Sequence, residues 1–156
     1  MHSLQPILLV EDDSVDAMTV IRALKELNVG NSIVHVLNGE EAFQYLRNNA
    51  NPRPCVILLD LNMPRMNGNE FLKIVKADQQ LMCIPVIVLT TSKADQDKFE
   101  CFNYSVAGYI VKPSGYEAFL KAMKVLDIYW TLNALPADAA KRADTELEQT
   151  ACSKPA

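Results

Sequence analysis

The stretch VILLDLNMP, from Val56 to Pro64, decides how the rest of the sequence is interpreted. Its first four residues are short, branched and uncharged, which is typical of a strand buried on both faces of a parallel sheet. Asp60 follows where that strand leaves the core. An ionised carboxylate in a dry environment is costly unless it is paired, hydrogen-bonded or bound to a metal. Asp60 therefore either caps the following loop or meets charges that other parts of the chain supply.

Five short apolar runs recur along the chain, and a helix-like segment follows each one. Regular alternation of strand and helix predicts an α/β fold with a five-stranded parallel sheet and helices on both faces. We predict one domain over residues 5–130. Residues 131–156 have few large apolar side chains, so we predict a C-terminal tail that is partly helical or disordered. The runs are PILLV (6–10), SIVHVL (32–37), CVILLD (55–60), IPVIVLTT (84–91) and AGYIVK (107–112).

The bulk composition argues against several classes of protein. A chain of 156 residues with 49% hydrophobic content suits a globular domain, and its net charge of −4 disfavours nucleic acids and anionic membranes as partners. The start of the chain does not resemble a signal peptide, and no apolar run reaches the length of a membrane span, so we expect no membrane association. The four cysteines lack CxxC spacing, which predicts reduced thiols in the cytoplasm rather than a zinc site or disulfides.

Polar groups follow four of the five predicted strands, whose carboxyl ends meet at the edge where open parallel sheets bind ligands. Converging carboxylates suit Mg²⁺, and a lysine with a threonine hydroxyl suits a phosphoryl group. Each group alone is also explained by helix capping or by a solvated surface, but together their chemistry is complementary. An aspartate can itself be the nucleophile of phosphoryl transfer, which would make Asp60 the acceptor. The groups are Glu11-Asp12-Asp13, Asp60, Thr90-Thr91-Ser92 and Lys112.

Four motifs, in this order, resemble the receiver domain of two-component response regulators: ILLVEDD, VILLDLNMPRMNG, IPVIVLTTS and AGYIVKP. The resemblance implies a flavodoxin-like (βα)5 fold with strand order 2-1-3-4-5. It also implies that Asp60 accepts a phosphoryl group from a histidine kinase or a phosphotransfer protein. The chain is then expected to be a phospho-accepting signalling protein rather than an enzyme.

The resemblance implies a set of ligands for Mg²⁺ beside the acceptor. Asp12 and Asp60 would bind the ion directly, and Glu11 would act through water. The backbone carbonyl of Asn62 would complete the ligands that the protein provides.

The resemblance also implies residues that respond to the phosphoryl group. Thr90 and Lys112 would bind its oxygens, and Tyr109 would be the aromatic switch that turns inward when the threonine is drawn to the phosphate. The peptide bond between Lys112 and Pro113 is typically cis in this family. The Asn67-Gly68 pair is interpreted as the turn ahead of the third helix.

Two features narrow the resemblance. The residues after the fifth predicted helix are too few for an output domain, so we expect a single-domain regulator. The segment LDIYWTLNALP resembles the small regulators that partner cyanobacterial and bacterial phytochromes, which implies a bacteriophytochrome as a possible partner. Such regulators are often dimers through the face formed by the fourth helix, fifth strand and fifth helix, and we therefore expect a homodimer.

The last predicted helix carries a wider apolar arc than one contact with a sheet requires. One stripe, at helical spacing, is expected to cover the sheet: Tyr116, Phe119, Leu120, Met123, Leu126 and Trp130. A neighbouring stripe either packs against the first helix or forms a partner surface, most simply a symmetric dimer. The interface candidates on this stripe and on the preceding helix are Phe99, Phe102, Tyr104, Ala118, Ala122, Val125 and Tyr129.

Three other functions compete with that of a phospho-acceptor. A haloacid-dehalogenase-type phosphatase also uses an aspartate after a buried strand, but it needs a second aspartate two positions on, where this chain has Asn62. A receiver-like binding module without phosphorylation would be marked by loss of Asp60, Asp12 or Lys112, all of which are present. A flavin carrier would need a phosphate-binding loop after the first strand, where acids would repel the phosphate.

Overall fold

The computed structural model describes residues 4–91 and 94–132, and within them strands and helices alternate as expected. Each strand has four or five residues and is followed by one helix. In chain order the elements are β1 Ile7–Val10, α1 Ser14–Glu26, β2 Ile33–Val36, α2 Gly39–Arg47, β3 Val56–Leu59, α3 Gly68–Ala77, β4 Val86–Thr90, α4 Asp95–Asn103, β5 Gly108–Val111 and α5 Tyr116–Leu132.

The strands form one parallel sheet in the order β2-β1-β3-β4-β5. β1 and β3 lie side by side, with Val10 opposite Leu59 at their carboxyl ends. β1, β3 and β4 are buried along their whole length, because helices cover both faces of the sheet. The edge strands β2 and β5 are only partly buried. Both the fold class and the strand order predicted from the sequence are confirmed.

Alternate strand residues point to two separate hydrophobic cores, one on each face of the sheet. The first core joins Leu8 and Val10 of β1 to Phe71 of α3 and Cys101 of α4. The second core joins the intervening strand residues to α1 and α5, including Met123, which is fully buried. The predicted covering stripe of α5 is confirmed at five positions, Tyr116, Phe119, Leu120, Met123 and Leu126. The side chain of Trp130 lies outside the described part of the chain.

Polar side chains begin three of the helices and hold the loops of one sheet edge in place. The carboxylate of Asp13 accepts hydrogen bonds from the backbone N–H groups of Val15 and Asp16 at the start of α1. Asn38 and Asn67 cap α2 and α3 in the same way. The predicted turn at Asn67 is therefore a helix cap. Within the described residues, no helix is long and apolar enough to cross a membrane.

Three details differ from the sequence-based expectations. The Lys112–Pro113 bond is trans, since the described residues contain no cis peptide bond, and trans is the intrinsically favoured form of an X-Pro bond. The helix α5 continues to Leu132, two residues beyond the predicted domain boundary. The ring of Tyr104 packs against the first core, so it is only partly exposed. The remainder of the predicted tail, from residue 133, lies outside the described residues.

Candidate functional site: an acidic cluster and a buried lysine

Three carboxylates from neighbouring loops meet at the carboxyl edge of the sheet. Glu11 and Asp12 follow β1, and Asp60 follows β3. One ligand oxygen from each lies within 4.8 Å of the other two. The backbone holds this arrangement, because the N–H of Asp60 donates to the carbonyl of Val10 at 3.0 Å. Glu11 and Asp60 are buried, whereas Asp12 is exposed.

Glu11 is the most deeply buried carboxylate of the cluster, with 2% of its surface exposed. Its Oε1 accepts a hydrogen bond from the backbone N–H of Asp13 at 3.1 Å, and its Oε2 lies 2.8 Å from the Nζ of Lys112. Burial raises the pKa of Glu11 from 4.5 to about 7, and the charge of Asp60 adds to this increase, while Lys112 acts against it. Lys112 therefore helps to keep Glu11 ionised near neutral pH, since the pKa of Glu11 would be higher still without this cation.

Lys112 reaches this edge from the end of β5. Its Nζ forms ion pairs with Glu11 at 2.8 Å and with Asp16 of α1 at 3.1 Å, and only 12% of its side chain is exposed. Burial acts to lower the pKa of Lys112, but the hydrogen bonds and charges of Glu11 and Asp16, with the charge of Asp60, outweigh burial and raise it. Lys112 is therefore held as a cation by the carboxylates of Glu11, Asp16 and Asp60.

Among the described residues, the ion pairs of Lys112 do not include Asp60, the carboxylate at the end of the central strand. They run to the end of β1 and to the first turn of α1. Asp60 acts on Lys112 through its charge. The reason is that Glu11, which follows β1, is more deeply buried than Asp60 and competes for the ammonium.

The other predicted site residues lie around the cluster. Thr90 ends β4 and is fully buried, and its carbonyl accepts the backbone N–H of Lys112 at 2.8 Å. Asn62 is exposed in the loop between β3 and α3. Tyr109 lies in β5, half-buried against the first core. The structure thus brings Thr90 next to the backbone of Lys112, while the proposed roles of Asn62 and Tyr109 remain predictions.

The loop after Asp60 is closed by a glycine that has no room for a side chain. The N–H of Gly68 donates to the carbonyl of Leu61 at 3.1 Å. A Cβ atom on Gly68 would lie 2.7 Å from the carbonyl oxygen of Asp60 and 2.7 Å from the Cα of Leu61. The close approach requires glycine, and it fixes the backbone that carries the carboxylate of Asp60.

The donor set suits a hard divalent cation. The cluster offers only carboxylate oxygens, of the kind that Mg²⁺ prefers, and exposed Asp12 leaves one side of the site open to water. A bound cation would also offset the cost of placing Glu11 and Asp60, both buried, so close together. The residues therefore fit the metal that the sequence implied, with Glu11, Asp12 and Asp60 as the candidate ligands.

One residue of the site was not found from the sequence. Asp16 lies in the first turn of α1, where acids are common because of the helix dipole, so its position alone does not mark a site. No local pattern could reveal Lys112 as its partner, because the two residues are 96 positions apart in the sequence.

The predicted interface residues other than Tyr104 divide into three groups. Phe102 and Val125 are exposed, at 59% and 67% of their surfaces, and Ala118 is also exposed. Ala122 is half-buried. The side chains of Phe99 and Tyr129 lie outside the described part of the structure. Packing against α1 therefore does not cover Ala118 or Val125, although α1 does contact α5 through the Arg22 guanidinium, 4.4 Å from the centre of the Tyr116 ring.

The fold and this site define the class of protein. The chain belongs to the response regulator receiver domain family, whose model matches residues 7–124. Receiver domains are signalling modules that are partnered by histidine kinases and bind a divalent cation in an acidic pocket of this kind. The family predicted from the four sequence motifs is confirmed.

Particular relatives come from phytochrome signalling and from other regulatory systems. The chain is 33% identical to response regulator Rcp1 of Synechocystis over 128 residues, covering 80% of this chain and 87% of Rcp1. It is 35% identical to the probable methanogenesis regulatory protein FilR2 of Methanothrix harundinacea, covering 80% and 82% of the two chains. The phosphorylated cyanobacterial phytochrome response regulator RcpA is similar in structure, with a TM-score of 0.79, 37% identity and coverage of 85% of this chain and 99% of RcpA.

Proposed function

We propose that Asp60 accepts a phosphoryl group from a phosphohistidine of a histidine kinase or phosphotransfer protein, in the cytoplasm. The observation that carries this proposal is the meeting of three carboxylates with the cationic Lys112 at one edge of the sheet. A carboxylate nucleophile, a divalent cation and a fixed ammonium are the parts that phosphoryl transfer requires. Asp60 is the candidate acceptor because it alone follows the central strand β3 and lies between the acids after β1 and the end of β4.

Each neighbour of Asp60 has a distinct part in this scheme. Glu11, Asp12 and Asp60 would hold Mg²⁺ with the carbonyl of Asn62, and a bound ion would supply positive charge beside the transferring group. Lys112 donates to a phosphoryl oxygen as a point charge. Thr90 donates its hydroxyl to another oxygen, and Tyr109 follows this movement from the adjacent strand, where Val88 is its partner. The signal then leaves through β5 and the helices on either side of it.

The acceptor is tested with acetyl phosphate as a small phosphoryl donor. Wild-type protein should take up phosphate only when Mg²⁺ is present, and Asp60→Asn should take up none. Asp78→Asn is a matched control, because it makes the same change at the residue that ends α3, away from the carboxylate cluster. Uptake that persists in Asp60→Asn with Mg²⁺ would show that another group is the acceptor.

We also propose that a kinase of the phytochrome type is the donor and that the protein forms a homodimer. Support for the donor comes from relatives described as phytochrome or bacteriophytochrome response regulators, including AtBRR at 36% identity and a TM-score of 0.68. Support for the dimer comes from apolar side chains exposed on α4 and α5, which flank the edge strand β5: Phe102, Val125 and Ile128. Such side chains are costly to leave in water when they lie together.

The dimer is tested by light scattering with and without Mg²⁺ and beryllofluoride, which mimics the phosphoryl group. Val125→Glu should give a monomer under conditions in which wild-type protein is dimeric. Met18→Glu provides the control, since Met18 is equally exposed but lies on α1. A dimer that survives Val125→Glu would place the interface elsewhere, and a wild-type monomer under both conditions would remove the dimer from the proposal.

A further inference from the structure

We propose that Asp16 is a positioning residue that holds Lys112 in the unphosphorylated protein and releases it to the phosphoryl group. Asp16 thereby sets how readily the site accepts that group. This inference rests on the proposed function, in which Lys112 binds a phosphoryl oxygen on Asp60.

The position of the Lys112 ammonium favours this exchange. It lies 3.1 Å from Asp16 Oδ2 and 2.8 Å from Glu11 Oε2, so two of its three donors are directed at these carboxylates. Among the described residues no ion pair joins Lys112 to Asp60, so the ammonium must shift towards Asp60 to reach a phosphoryl oxygen there. At least one of these two ion pairs is therefore expected to weaken when the phosphoryl group binds.

The two carboxylates that hold Lys112, those of Glu11 and Asp16, differ in burial. Glu11 has 2% of its side chain exposed and belongs to the metal-binding cluster. Losing its cationic partner would leave a buried charge unpaired, which is strongly unfavourable. The side chain of Asp16 is 44% exposed, so water can replace Lys112 at little cost. Of its two partners, Asp16 is therefore the one that Lys112 can release at the lower cost.

The ion pair of Lys112 with Asp16 lies beside a cavity. A cavity of about 600 Å³ lies between α1 and the loop from β5 to α5, and both Asp16 and Lys112 line it. Thr19, Thr91 and Ser114 add polar groups to its wall. The cavity gives water access to the carboxylate of Asp16 and gives the lysine side chain room to move, so the exchange requires no rearrangement of the core.

The same contact links the start of α1 to the end of β5, beyond the core that the two elements share. Asp16 lies in the first turn of α1, and its own backbone N–H is held by the Asp13 cap at 3.0 Å. Lys112 follows β5, the strand through which the signal is proposed to leave. Release of Asp16 therefore separates the start of α1 from the end of β5 when the phosphoryl group binds, and the resting contact opposes binding.

The test compares the affinity for beryllofluoride at saturating Mg²⁺, measured by titration calorimetry. Asp16→Asn should bind about two- to fivefold more tightly than wild-type protein, the size expected for one partly exposed ion pair. Asp16→Glu keeps the charge and should bind as wild type does. Glu26→Gln removes a carboxylate from the same helix whose ion pair is with Arg22, so it should leave the affinity unchanged.

The direction of the change separates positioning from a merely structural role, because a disturbed site would bind more weakly. Equal or weaker binding by Asp16→Asn, or equal tightening by Glu26→Gln, would overturn the inference while leaving the phosphorylation of Asp60 intact. If wild-type protein binds no beryllofluoride with Mg²⁺, the proposed function fails and the inference fails with it.

Discussion

Neutralising Glu11 should change how the stability of the metal-free protein depends on pH. Burial raises the pKa of Glu11 from 4.5 to about 7 in the folded protein, whereas the unfolded chain exposes this carboxyl group to water. The folded protein therefore keeps the proton at pH values where the unfolded chain has lost it. By linkage, the contribution of Glu11 to the free energy of unfolding is greatest below pH 4.5, falls as the pH rises to about 7, and is constant above that.

The size of the effect follows from the shift. A change of one pH unit between the two pKa values alters the free energy of unfolding by ~1.36 kcal/mol. Raising the pH from about 5 to about 7 should therefore cost the wild-type protein about 3 kcal/mol through Glu11 alone. Glu11→Gln has nearly the same shape and no titration, so it is the reference from which this cost is measured.

The assay is urea unfolding followed by circular dichroism in the presence of a chelator, at several pH values in this range. As the pH rises, the free energy of unfolding of the wild type should decrease relative to that of Glu11→Gln. Glu70→Gln, at an exposed carboxylate in the first turn of α3, should show no such trend. A difference that stays constant with pH, or that grows in favour of wild type, would refute the reasoning about burial.

Three further outcomes are expected. Mg²⁺ should bind less tightly below about pH 7, because protons compete for Glu11 once the pH falls below the pKa of that residue. Equal affinities for Mg²⁺ above and below this pH, measured by calorimetry, would contradict the prediction. Gly68→Ala should destabilise the protein by about 1–3 kcal/mol in urea unfolding, because its Cβ would lie 2.7 Å from the Asp60 carbonyl oxygen; unchanged stability would mean that the loop is not tightly closed. Asp13→Ala should cost about 0.5–2 kcal/mol through loss of the two hydrogen bonds that cap α1, whereas Ser14→Ala, one position later, should cost less.

The fold was predictable because its signals are local and repeated. Each buried strand is a short branched run, and three of the helices begin with a capping side chain, such as Asp13 or Asn67. Parallel strands then bring their carboxyl ends to one edge whatever the details of packing. The meeting of Glu11, Asp12 and Asp60 within 4.8 Å follows from this topology.

What the sequence could not supply depends on packing between distant residues. The ion pair of Lys112 with Asp16 joins residues far apart in the chain, and the choice of Glu11 over Asp60 depends on which carboxylate lies deeper in the sheet. Tyr104 was expected on the surface because helical spacing alone does not show which face the core covers. The trans bond at Lys112–Pro113 also differs from the family-based expectation, and local sequence does not determine such a bond.

The most direct test of the account is the position of the phosphoryl group after incubation with acetyl phosphate and Mg²⁺. Borohydride reduces an aspartyl phosphate to a stable product, and peptide mass spectrometry then locates it. We predict the reduced product at Asp60 when Mg²⁺ is present and none when a chelator removes it. Reduction at Asp12 or Asp13 instead, or no reduced residue in protein treated with Mg²⁺ and acetyl phosphate, would contradict the account.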